Sequence, residues 1–239
     1  MKRFLGAIAL AALIVGFCVE SATAQMNGFV NYPAVGGVGV KLFGDYGRGL
    51  NEESLKSNYF GGRAELGLPF VNFWAGIGSV KADSATVGAA TSSEMTYGGG
   101  ASFNILKGPL VPVHVAVQAG FGYLKRDLGN NVSSKVTKIP FGLSAAINLP
   151  TPGVGVKPWA YAFGEYQSRS ETGAESESKV GFGISGGLEV NLQMGLGLYA
   201  ALNWSSIDFG AEGETDTTES PLFLGVGLSY KIQVPTLGM

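Results

Sequence analysis

The sequence predicts an all-β fold: a closed up-and-down antiparallel transmembrane β-barrel, with ten strands favoured over eight. Three observations carry this. After residue 34 the chain runs in short zigzags of alternating apolar and polar residues, the period of a strand with two unlike faces. The connections alternate strictly between short and long polar ones, as on the two rims of an up-and-down barrel. An apolar N-terminal run with a small-residue exit marks the chain for export.

In that leader, Lys2 and Arg3 precede an apolar stretch over 4–19, and Ala22-Thr23-Ala24 supplies a small-x-small cleavage site. Residues 1–24 are expected to be a cleaved signal peptide and 25–239 one outer-membrane β-barrel domain. The apolar run falls short of the ~20 residues of a membrane-spanning helix. Cys18, the single cysteine, lies inside the leader, and Phe17 before it disfavours lipid attachment. The mature chain therefore has no thiol for a disulfide, a metal or a nucleophile. The chain carries 16 basic and 18 acidic residues without a basic stripe, which argues against a nucleic-acid partner. No linker divides the rest. Its 38 glycines exceed twice the average usage of about 7%, and sparse charge within the zigzags suits strands that face lipid at every second residue.

The strands follow in order. The first sets Val38, Val40 and Leu42 against Lys41 and Asp45. The second sets Phe60, Ala64, Leu66 and Leu68 against Arg63, Glu65 and Gly67. The third and fourth, about 72–81 and 95–106, carry a noisier version of the pattern. The fifth is the cleanest, with Val111, Val113, Val115, Val117, Ala119, Phe121 and Tyr123 on one face and His114, Gln118, Gly120 and Gly122 on the other. The sixth sets Ile139, Phe141, Leu143, Ala145 and Ile147 against Lys138, Gly142, Ser144 and Asn148. The seventh, about 156–166, is again noisy. The eighth sets Val180, Phe182, Ile184, Leu188 and Val190 against Gly183, Ser185, Glu189 and Asn191. After a ninth at about 196–208, the tenth sets Leu222, Leu224, Val226, Leu228, Tyr230 and Ile232 against Gly225, Gly227, Ser229 and Lys231.

Clear strands of about 9–12 residues match a tilted transmembrane β-strand. The sheet has to close, because an edge in lipid leaves backbone groups unpaired. Short turns at 68–72, 107–110, 149–155 and 192–195 alternate with long loops at 47–57, 82–94, 125–135, 167–179 and 210–220. That arrangement puts both termini on the short-turn, periplasmic side. Trp159, Tyr161, Phe73, Trp74, Phe103, Trp204 and Tyr230 are expected in interfacial aromatic girdles.

The runs GFGISGGLEVNL at 181–192, VKPWAY at 156–161 and PFGLS at 140–144 resemble the small opacity-type porin family of outer-membrane β-barrels. The resemblance implies a cell outer-membrane barrel inserted by the barrel-assembly machinery among outer-membrane lipid and lipopolysaccharide. Members usually end on a strand-closing aromatic residue and the small ones have eight strands. This chain continues beyond Ile232 and counts ten.

Alternation directs Lys41, Arg63, Glu65, His114, Gln118, Lys138, Glu189 and Lys231 into the lumen. Mixed charges in a narrow lumen imply ion pairs. They either plug the barrel or line a narrow solute path. His114, the single histidine, sits low in its strand, and a lipid deacylase would want a serine two residues on, where Ala116 stands. A protease would want acidic groups facing the histidine at the outer rim, where Asp127 and Asp208 lie far from it. One histidine is no basis for a metal site, and no cofactor motif occurs. Acidic residues in the long loops, among them Glu52, Glu53, Glu212 and Glu214, either hold divalent cations shared with lipopolysaccharide or form a solvated surface. The expected function is a non-enzymatic barrel, a narrow porin-like channel or a structural surface barrel. The alternatives are a membrane-embedded enzyme acting on lipid or peptide, an adhesive barrel with a plugged lumen, and a soluble lipocalin-like barrel, whose apolar face would point inward.

Overall fold

The computed structural model describes residues 38–51, 54, 56–82, 93–108, 111–129, 132–173, 175–209 and 218–232. The leader over 1–24, Cys18, the segment after Ile232 and the loop carboxylates Glu52, Glu53, Glu212 and Glu214 lie outside the described residues.

Ten strands build the wall: β1 (Gly39–Gly49), β2 (Asn58–Gly67), β3 (Val71–Lys81), β4 (Glu94–Gly108), β5 (Val111–Gly129), β6 (Val132–Ile147), β7 (Val154–Glu171), β8 (Glu177–Leu192), β9 (Leu196–Asp208) and β10 (Leu222–Ile232). Each pairs antiparallel with its sequence neighbours, and β10 pairs with β1 from Val40↔Ile232 to Gly49↔Phe223, which closes the ring. Two short pieces add to it: Leu149–Thr151 pairs with the start of β7, and Thr218–Glu219 with the end of β9. Among the described residues no helix is long and apolar enough to cross a membrane. The chain is an all-β closed antiparallel barrel of the outer-membrane type.

The outer face is apolar for a stretch of each strand. Phe73 and Ile77 on β3, Val117 and Phe121 on β5, Phe141 and Leu143 on β6, Phe182 and Ile184 on β8, and Leu224, Val226 and Leu228 on β10 are all exposed. In water such a belt would drive association; in lipid it is the required surface. The next residue in each strand turns inward, and Trp74, Gln118, Ser144, Ser185 and Ser229 are buried there.

Two of the expected long loops are largely strand. β5 and β6 run on until only 130–131 separate them, and β7 and β8 until only 172–176 do. Lys125↔Lys135 and Arg169↔Glu177 are register pairs within these hairpins. Their polarity misleads because the hairpins rise past the lipid belt, where both faces meet water and alternation no longer marks a strand. At 19 residues, β5 is nearly twice the ~10 a tilted crossing needs. At the other rim β4 extends to Gly108, past the expected end, through register shifts around Leu106.

The girdle expectation fails for three aromatics. Trp74, Trp159 and Tyr161 point into the barrel and are buried, whereas Phe73, Phe103 and Tyr230 are outside as expected. Trp204 packs edge-on against Phe182 at 5.2 Å, also on the outer side. The inner rings fit because glycine stands across from them: Trp74↔Gly100, Trp159↔Gly187 and Tyr199↔Gly227 are register partners. A Cβ on Gly227 would lie 2.4 Å from the Tyr199 ring, and one on Gly100 2.6 Å from the Trp74 indole nitrogen. Aromatic rings laid over cross-strand glycines thus fill the barrel interior, each worth about 1.5–3 kcal/mol of burial.

Candidate functional site

The lumen holds the only concentration of buried charge among the described residues, stacked in three tiers. Inward residues Lys41 of β1, Lys157 of β7 and Glu189 of β8 meet toward the short-turn end. Glu189 is 0% exposed and its two carboxylate oxygens accept one lysine each. Lys157 is its direct register partner, but Lys41 reaches it past β9 and β10. Glu65 lies directly opposite Lys41 on β2, buried, and within electrostatic reach of Lys41, Lys157 and Arg63.

The second tier is a triangle. Arg63 Nε lies 2.7 Å from Asp45 Oδ2 in an ion pair, and Nη2 donates to Asp45 Oδ1 at 3.3 Å. Nη2 also reaches the Tyr199 hydroxyl at 3.2 Å, and that hydroxyl donates to Asp45. The guanidinium lies 4.5 Å over the Phe43 ring. Tyr199 spans β10 above Gly227, so β9, β1 and β2 are tied through one arginine. The third tier is Lys138 of β6 with Glu165 of β7 at 3.1 Å, two residues off direct opposition, with Glu165 0% exposed.

The facing wall is neutral and polar. Asn72 donates to Ser102 at 3.1 Å and Asn104 to the Phe70 carbonyl at 3.3 Å, while Gln118 is buried. At the long-connection rim, Arg169 grips Glu219 through both nitrogens, Nη1–Oε1 at 2.6 Å, and lies 4.0 Å from the Phe209 ring centre. Nearby, Asn51 donates to the Ser220 carbonyl at 2.7 Å and accepts from the Leu222 amide at 2.9 Å, strapping two connections together.

Of the eight residues expected to line the lumen, Arg63, Glu65, Gln118, Lys138 and Glu189 are buried inside and Lys41 nearly so. His114 stands at the short-turn rim, where the Asn148 amide donates to its Nε2 at 2.8 Å. Ala116 is fully buried two residues along. Lys231 is half-buried directly opposite Lys41, outside the ion pairs described. Sequence reasoning missed Lys157, Glu165 and Tyr199, and it placed Asp45 inward without a partner. The signal for Lys157 and Glu165 was parity. Trp159 and Tyr161 share their face, so reading those rings as outward hid both charges. Among the described residues no cluster of His, Cys, Asp and Glu could hold a metal.

No protein-family model matches the chain, and no curated protein matches it. Solved structures similar to it include the N-terminal β-barrel domain of Pseudomonas aeruginosa OprF, at 15% identity and TM-score 0.35 over 82% of this chain and 99% of that one. Neisserial surface protein A is similar at 16% identity and TM-score 0.39, over 82% and 99%. The β domain of the Bordetella autotransporter BrkA is similar at 17% identity and TM-score 0.49, over 84% and 78%.

Proposed function

We propose that this chain is a non-enzymatic outer-membrane barrel with a closed lumen, a structural surface protein that holds its long connections and two raised hairpins on the outer side. The observation that carries the reading is the tie from Lys41 through Glu189 to Lys157, backed by the Arg63–Asp45–Tyr199 triangle. A selectivity lining needs charges that face water and exchange their partners with a passing solute. Here the carboxylate and both ammonium groups are withdrawn from water and paired across the bore. The interior rings of Trp74, Trp159, Tyr161 and Phe163 occupy the space that a path would need. The absence of a serine two residues beyond His114 and the distance of Asp208 from it support a non-enzymatic role. The short-turn rim then faces the periplasm.

One observation favours a second reading, a thread of water too narrow for solutes. Side-chain atoms of Gln118, Asn203 and Ser205 are buried in the bore without a protein hydrogen-bond partner among the described residues. Such groups are satisfied by ordered water. Proteoliposome swelling separates the cases. The closed barrel admits neither sugars nor amino acids, and swelling in a small sugar at the rate of a general porin would refute it.

A further inference from the structure

Among the described residues, two lysine pairs stand directly opposite each other across the sheet: Lys41↔Lys231 and Lys125↔Lys135. Like charges so placed repel, with Cβ atoms about 5 Å apart. Inside the barrel, Glu65 and Glu189 answer Lys41 of the first pair. The second pair faces outward, on the hairpin of β5 and β6 just beyond the lipid belt. Both lysines are exposed, and no described carboxylate pairs with either. The neighbouring cations differ: Arg126 faces Glu94 and Arg169 grips Glu219.

The surroundings say what answers Lys125 and Lys135. Two residues toward the membrane on the same face is Tyr123, paired with Tyr97, and Tyr166 of β7 stands two residues lower again, opposite Ile139. Outward tyrosines of this kind mark the headgroup level. Two residues of strand are roughly 7 Å, which puts the ammonium groups at the depth of lipid phosphates. Ser170, opposite Lys135 on β7, brings a hydroxyl to the same face. Resting on the outward orientation of the long-connection rim proposed above, we propose that Lys125 and Lys135 form a site for a phosphate monoester of an anionic glycolipid in the outer leaflet. The phosphate bridges the two ammonium groups and turns a repulsive register pair into a lipid-dependent clamp on the raised hairpin.

The test uses the refolded full mature chain and bis-phosphorylated lipid A, with binding read by native mass spectrometry. Lys125→Gln and Lys135→Gln should each weaken binding about fivefold, the double variant by roughly the product, and Lys81→Gln, a lone exposed lysine, far less. Dephosphorylated lipid A should bind wild type as weakly as it binds the double variant. In phosphatidylcholine vesicles the double variant should melt above wild type because repulsion is gone; with lipid A present the order should invert. Lipid A binding by the double variant at wild-type strength would overturn the proposal, as would inorganic phosphate matching lipid A at equal concentration. Asp127 stands two register pairs farther along β5, opposite Ser133. Asp127→Asn should leave melting in phosphatidylcholine unchanged; a fall there would make that carboxylate the counter-ion and overturn the lipid site. Lipid A occupies both leaflets of these vesicles, so a lost lysine dependence counts against the site alone, whereas solute flux counts against the closed lumen alone.

Discussion

Replacing Glu189 with glutamine removes one charge and strands two. Lys41 and Lys157 keep side chains that are only 12% and 9% exposed, so neither ammonium recovers water when its partner is lost. Breaking a buried pair by deleting one member costs about 3–5 kcal/mol. Two lysines share this carboxylate, but Glu65 still faces Lys41 and offsets part of the loss. The expected destabilisation therefore stays within that range. Glu65→Gln is the internal comparison. That carboxylate acts on Lys41, Lys157 and Arg63 without an ion pair among the described residues, and its own burial works against its charge, so its loss should cost clearly less than that of Glu189. Urea unfolding in phospholipid vesicles, followed by tryptophan emission and by heat-modified gel migration, measures both. A triple variant with methionine at positions 41, 157 and 189 should recover most of the stability, because apolar replacement removes all three buried charges together. If Glu189→Gln unfolds within about 0.5 kcal/mol of wild type, below the effect of losing an ordinary hydrogen bond, the carboxylate does not hold the bore together.

Gly227→Ala places a methyl group 2.4 Å from the Tyr199 ring and should cost about 1–3 kcal/mol, while the exposed strand glycine Gly44 lacks such a neighbour within 4 Å; comparative melting reads the difference. Tyr199→Phe keeps the ring and removes the hydroxyl between Arg63 and Asp45, for a loss of about 1–2 kcal/mol in the same unfolding assay. Val226→Arg puts a charge on the exposed apolar face of β10 and should cost about 2–4 kcal/mol if it lies near the bilayer midplane, seen as reduced folding yield in vesicles.

The alternation of Val117, Phe121, Phe141, Leu143, Val226 and Leu228 with glycine, serine and charge was enough to place the wall and its two faces. It worked because lipid on one side and a packed bore on the other impose the same period on every crossing segment. The same logic fails where the surroundings stop being different. Lys125, Arg126 and Lys135 belong to strands that water bathes on both sides, so polarity there resembles a loop. Strand β7 failed for another reason: rings are at home both in a girdle and in a bore whose opposite strand offers Gly187 and Gly183. Inversion of that one strand cost the reading Lys157 and Glu165, and with them the partners of Glu189 and Lys138. The tie between Lys41 and Glu189 joins residues 148 apart in sequence, set by barrel curvature that no local pattern records.

Planar-bilayer recording of the refolded wild-type protein, beside the Glu189→Gln variant, tests the closed lumen most directly. The wild type should be silent, with no stepwise current at any applied potential, and the variant should unfold more readily while remaining silent or opening only irregularly. A steady wild-type conductance, whose cation-over-anion preference shifts in Glu189→Gln while stability holds, would show that these charges line a path and would contradict the account.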